Sequence, residues 1–426
     1  MPPPLDAGAV ESDAGVGFPD AGPDGGGATP VDGGADAGML GTDAGVLPCV
    51  EDNSPAAIAA RDGFIHVCAD PTAMPNVVCG DGSPYRMSYR PATGASQGLL
   101  LYFRGGGGCS DYVACWGVDG RGGMGRRVGT MENTRNTEPP LIPGLGRTVG
   151  IFDRLEQLNT LRQYDQVFIA YCTGDVGQGT TRQVLQRPPE ALPTAPASIE
   201  TFFHGEYDVR FALDVAKDRF PNPQRIVMYG TSAGALSSTN ALPWVVTTFG
   251  LGSTSQLSLV TEGGMALGRP SQDALLQRVL ADYRGTMGRP FVRVGQFSFI
   301  SDPTQMSFSP PPLTTPAPFQ AELRRVSEER IAMNPTSYRA FTPDGACHTV
   351  AQSPGLFAQF EPGPNGVLRL VQPVVRPNPD LTIGSVSFDA WVGRIIGGAG
   401  PMDSTIPSLA GSWATVATSC RLPGSN

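Results

Sequence analysis

Residues 225–242 read Arg225-Ile226-Val227-Met228-Tyr229-Gly230-Thr231-Ser232-Ala233-Gly234-Ala235-Leu236-Ser237-Ser238-Thr239-Asn240-Ala241-Leu242. The run up to Tyr229 has the length, and lacks the alternation, of a strand covered on both faces. It passes directly into Gly-x-Ser-x-Gly, and Ala235–Leu242 is composed to continue as a helix. Strand, Gly-x-Ser-x-Gly and helix in that order form a nucleophile elbow, a tight turn that lifts the serine hydroxyl above the sheet. Gly230 and Gly234 suit it because the two backbones must approach closely there.

Working outward, further apolar runs occur at Leu99–Phe103, Val167–Tyr171, Leu257–Val260 and Phe297–Ile300. Helical spacing appears between them, notably over Tyr207–Phe220, where Pro221 ends the pattern. Strands alternating with helices predict a mostly parallel central sheet flanked by helices, an α/β-hydrolase-like fold. Segments 116–150, 178–200 and 303–320 are rich in Gly, Pro and Arg and are expected to be long loops walling a substrate cleft.

A serine hydroxyl needs a base, and histidine is the usual one near neutral pH. Of His66, His204 and His348, only His348 follows Ser232, as the hydrolase order Ser, acid, His requires. His66 and His204 are expected to be packed or substrate-side residues. Two aspartates compete for the acid. Asp302 follows the Phe297–Ile300 run, where open α/β sheets gather site residues. Asp344 lies four residues before His348 in an Asp-Gly turn pair. For the oxyanion, Gly105-Gly106-Gly107-Gly108 follows the Leu99–Phe103 strand, so Gly107, Gly108 and Ala233 are the candidate N–H donors. The only lysine, Lys217, lies on a polar helix face, which argues against a P-loop, a Schiff base or a Ser-Lys dyad. No cofactor and no metal is expected.

Residues 1–48 are almost entirely Asp, Ala, Gly, Pro and Val, with Phe18 the one aromatic. Such a stretch buries too little apolar surface to offset the entropy of ordering, so a disordered tether is expected, followed by an esterase domain over 49–426. The tether carries eight acids and no base, which accounts for nearly all of the net charge of −9 and leaves the body close to neutral. No basic stripe suggests nucleic acid. No apolar run is long enough for a membrane span. The eight cysteines include no CxxC pair, and their even number favours disulfides, with Cys109 and Cys115 the candidate pair. A tether of this kind normally follows a secretion signal or an anchored cysteine, so Met1 is expected to begin a processed form of an exported, monomeric protein. One lysine against 29 arginines points to a GC-rich bacterial genome.

The ordered motifs resemble those of the pectin acetylesterase family, which includes the Notum carboxylesterases. The resemblance rests on Phe103–Cys109, Tyr171–Gly179, Gly230–Gly234, Ser301–Gln305, Cys347-His348 and Phe388–Trp391. It implies an α/β-hydrolase fold and a Ser232, Asp302, His348 triad, Asp302 standing in the family's Asp-x-x-Gln segment. Gly108 stands where the family usually has Trp, and Arg104 replaces the usual acid. Three functions follow: an extracellular carboxylesterase deacylating a glycan, an esterase of lipid or polyester substrates, or a non-catalytic binding module on a hydrolase fold. The complete Ser, Asp and His set argues against the third.

Overall fold

The computed structural model describes residues 51–117, 139, 141–142, 147–148, 150–157, 159–265, 267–268, 270–343, 356–362, 368–375, 382–383, 386–398, 400–402 and 408–410. The expected tether, Asp344, Cys347 and His348 lie outside these residues.

Among these residues, nine strands form one sheet: β1 (Ile65–Cys68), β2 (Arg86–Arg90), β3 (Leu99–Phe103), β4 (Asp165–Ile169), β5 (Arg225–Thr231), β6 (Gln256–Glu262), β7 (Phe291–Phe297), β8 (Tyr338–Thr342) and β9 (Leu409–Ala410). Their spatial order is β1-β2-β4-β3-β5-β6-β7-β8-β9. β1 and β2 join antiparallel at one edge, and every pair from β4 onward is parallel. This is the mostly parallel sheet that the continuous apolar runs predict, because strands covered on both faces have no polar side to alternate. β3 and β7 are buried at every position. In register, Tyr102 stands between Phe168 and Tyr229, with ring centroids 5.5 and 6.1 Å away, an aromatic row across the centre of the sheet.

The helices used below are α1 (Gly205–Arg219), α2 (Ala233–Phe249), α3 (Pro270–Asp282), α4 (Pro303–Phe308), α5 (Pro316–Met333) and α6 (Phe388–Ile396). α2 runs seven residues beyond the expected Ala235–Leu242, straight through Pro243 to a left-handed Gly250 cap. The burial of Ala241, Leu242, Val245 and Phe249 along one face outweighs the hydrogen bond lost at the proline.

Two expectations need correction. The strand read at Phe297–Ile300 is Phe291–Phe297, whose last residue pairs with Glu262 and Phe341. Phe299 and Ile300 are buried without belonging to the ladder, and a short apolar run does not separate those cases. The segments 178–200 and 303–320 are not plain loops. The first carries most of an antiparallel hairpin, Thr181–Gln186 with Ser198–Phe203, and the second carries α4 and the start of α5. Both helices begin with a proline, which is suited to the first helical position although it reads as a loop signal in sequence.

Candidate active site

Register places the site. Phe103 at the end of β3 pairs with Gly230 near the end of β5, so the glycine loop and the elbow leave neighbouring strands side by side. This is also where the strand order switches direction, the usual place for a site in an open α/β sheet. Ser232 has φ +54° and ψ −125°, a conformation that L-residues rarely adopt. Strain of about 1–3 kcal/mol at one residue persists only where the surroundings over-determine it. Here the Ser232 amide donates to the Glu262 carbonyl at 2.7 Å, and α2 starts at the next residue.

The glycine loop lies against this turn. A Cβ on Gly105 would come within 2.7 Å of the Ser232 Cβ, so no larger residue fits. Arg104 continues the strand by donating its amide to Ile169, and Cys109 donates its own to the Gly174 carbonyl. Between these anchors, the amides of Gly107 and Gly108 make no hydrogen bond among the described residues, nor does that of Ala233 at the first position of α2. The Ala233 amide lies at the positive end of the α2 dipole, next to Ser232 in the chain.

Asp302 is fully buried and caps the N-terminus of α4. Gln305 holds its carboxylate from two sides, the backbone amide donating to Oδ1 at 2.9 Å and Nε2 donating to Oδ2 at 2.8 Å. Nε2 also donates to Ser298 Oγ at 2.7 Å, while Oε1 accepts from the Met265 amide at 2.9 Å. One glutamine thus ties Asp302 to the turn after β6. That turn touches the elbow at Gly264, where a Cβ would sit 2.5 Å from the Ser232 carbonyl oxygen. The motif containing Gln305 was visible in sequence, but this bracing role was not.

Asp175 is a second residue whose role the sequence did not give. Its Oδ1 accepts from Thr173 Oγ1 at 2.6 Å and the Gly177 amide at 3.0 Å, and its Oδ2 accepts from the amides of Gly179 and Gly205 at 3.0 and 2.8 Å. The carboxylate organises the 171–179 loop beside the glycine loop. Nearby Asp208 is buried on α1, with Oδ1 making no hydrogen bond among the described residues; burial first, and then the Asp175 charge, push its pKa well above the usual carboxylate range.

Disulfides join Cys109 to Cys115 and Cys79 to Cys172. They fasten the end of the glycine loop and the start of the 172–179 loop. His66 and His204 are buried, His204 with Nδ1 2.9 Å from the Asn76 carbonyl, and desolvation lowers its pKa. Among the described residues, no group of three or more His, Cys, Asp and Glu side chains could hold a metal ion, and no helix is long and apolar enough to cross a membrane.

The serine at positive φ thus stands between β5 and α2, with Gly105 of the glycine loop packed close against it. Residues 64–272 match the pectinacetylesterase family. The matched segment takes in the glycine loop, the Asp175 loop and the elbow, and the match supports an esterase-type hydrolase; Asp302 and His348 lie beyond it. Among solved structures, the chain is similar to the Wnt deacylase Notum from Drosophila. In crystal form I the identity is 14% and the TM-score 0.47, with 81% of this chain and 96% of that chain covered. In crystal form II they are 15% and 0.45, with 81% and 97% covered. No curated protein sequence matches the chain.

Proposed function

We propose that the chain is an extracellular serine carboxylesterase that removes acetyl or other small acyl groups from a polysaccharide. The observation that carries this reading is Ser232 held at positive φ against the glycine loop, with the amides of Gly107, Gly108 and Ala233 making no hydrogen bond among the described residues. His348 takes the Ser232 proton as Oγ attacks the ester carbonyl, and Asp302 orients the imidazole and stabilises its charged form. The oxyanion receives N–H donors from the glycine loop and Ala233. Collapse expels the sugar hydroxyl, protonated by His348, and leaves the acyl group on Ser232. Water activated by the same histidine then releases the acid. Disulfides at both supporting loops fit an oxidising, extracellular compartment.

Two measurements test this together. A fluorophosphonate should label Ser232, and Ser232→Ala should lose ester hydrolysis with an unchanged circular dichroism spectrum. On p-nitrophenyl esters from acetate to palmitate, alongside acetylated pectin and xylan, turnover should be highest for acetate and for an acetylated glycan. Labelling at another serine, with activity surviving the substitution, would overturn the mechanism. A preference for palmitate with no glycan deacetylation would overturn the substrate.

A further inference from the structure

We infer that Tyr171 is a positioning residue for the oxyanion hole, aiming the Gly108 amide through a hydrogen bond to the far end of the same peptide. This rests on the proposed roles of Ser232 and of the Gly108 and Ala233 amides. Tyr171 lies just beyond β4 and is 4% exposed. Its hydroxyl donates to the Gly107 carbonyl at 2.9 Å and accepts from the Val176 amide at 2.8 Å. Both ends of the hydroxyl are therefore used inside the protein, and its direction is set.

The consequence comes from peptide geometry. In a trans peptide the C=O and N–H point to opposite sides of the chain, and the Gly107–Gly108 bond is trans. Fixing the Gly107 oxygen on the Tyr171 side fixes the Gly108 N–H on the other, where it has no partner among the described residues. Gly107 is at φ +85°, and this flexible stretch has no side chains to hold it. The phenol supplies the constraint that the glycines lack.

The support behind the phenol is rigid. Val176 adopts φ +53°, an outlier for a β-branched residue, and that conformation accompanies the amide bond to Tyr171. The four hydrogen bonds received by Asp175 fix the loop around it. The Tyr171 ring also packs against Ala233. One side chain thus contacts the peptide that carries one proposed donor and the residue that carries the other. Burial pushes the phenol pKa well above its ordinary value, so it stays a donor throughout the working range.

The test is Tyr171→Phe, which keeps the ring against Ala233 and deletes the hydroxyl. With p-nitrophenyl acetate, kcat should fall about 10- to 100-fold, less than the loss on removing a donor outright, while KM stays within about threefold. The Ki of a trifluoromethyl ketone, which forms a tetrahedral adduct on the serine, should rise by a similar factor. A purely structural role would lower the melting temperature and leave Ki unmoved. Unchanged kcat, or a fall in kcat without a rise in Ki, would overturn the inference. Should the phenylalanine variant not fold, 4-aminophenylalanine at position 171 retains a donor and should keep kcat and Ki within about threefold; a larger loss of both would also overturn it. A fluorophosphonate identifies which reading has failed: labelling of Ser232 with Ki unmoved rejects Tyr171 alone, and absence of labelling rejects the esterase mechanism.

Discussion

Asp302 is the residue on which the catalytic reading is most open to direct attack. Its carboxylate is buried and braced twice by Gln305. As the proposed triad acid, Asp302→Asn should lower kcat by roughly 10³- to 10⁴-fold with little change in KM, whereas Asp344→Asn should cost on the order of tenfold or less. The reverse ranking in steady-state kinetics near neutral pH would move the acid to Asp344. Asp208 offers a prediction independent of chemistry. Its folded pKa lies well above the unfolded value of about 4, so stability declines as pH rises from that value toward the folded one. Asn carries no charge to suppress. The melting temperature of Asp208→Asn relative to the native protein should therefore rise between pH 4 and pH 7; a difference that stays flat or shrinks would show that Asp208 ionises freely where it stands.

At the scale of elements, the site depends on loops fastened to rigid strands. Cys79–Cys172 closes a 93-residue separation, linking the segment before β2 to the loop that carries Asp175. Replacing both cysteines by alanine should cost about 2–5 kcal/mol in denaturant unfolding, and a cost near zero would mean that local hydrogen bonds already hold that loop. Toward the other edge of the sheet, α6 seats Trp391, fully buried, 5.4 Å from Phe341 between ring centroids and against Gly295 of β7. Trp391→Ala should destabilise by about 3–5 kcal/mol, measured by urea titration. A much smaller loss would show that the site collapses around the missing ring. This element was visible in the sequence only as a family motif, because its burial depends on which strands it covers.

Over the whole molecule, the acidic, apolar-poor segment 1–48 should make no contribution to turnover. Its removal should leave kcat and KM on p-nitrophenyl acetate within about twofold, and a large loss would mean that the segment takes part in the site. The same split, between what lies in the chain and what depends on packing, separates the legible parts of this protein from the rest. The β5 elbow, the β3 glycine loop and the parallel sheet could be read directly because each is a local pattern: an apolar run with no polar face, and glycines at fixed offsets from a serine. Helix continuation through Pro243 and the end of β7 at Phe297 could not be read, since burial against neighbours and ladder hydrogen bonds decide them. The sequence by itself determined the fold class and which serine stands on the turn. Only the tertiary structure brought Tyr171 onto the Gly107 carbonyl, 64 residues away along the chain, and Gln305 between Asp302 and Met265, because hydrogen bonds at such separations follow from strand order and register, which no local pattern encodes.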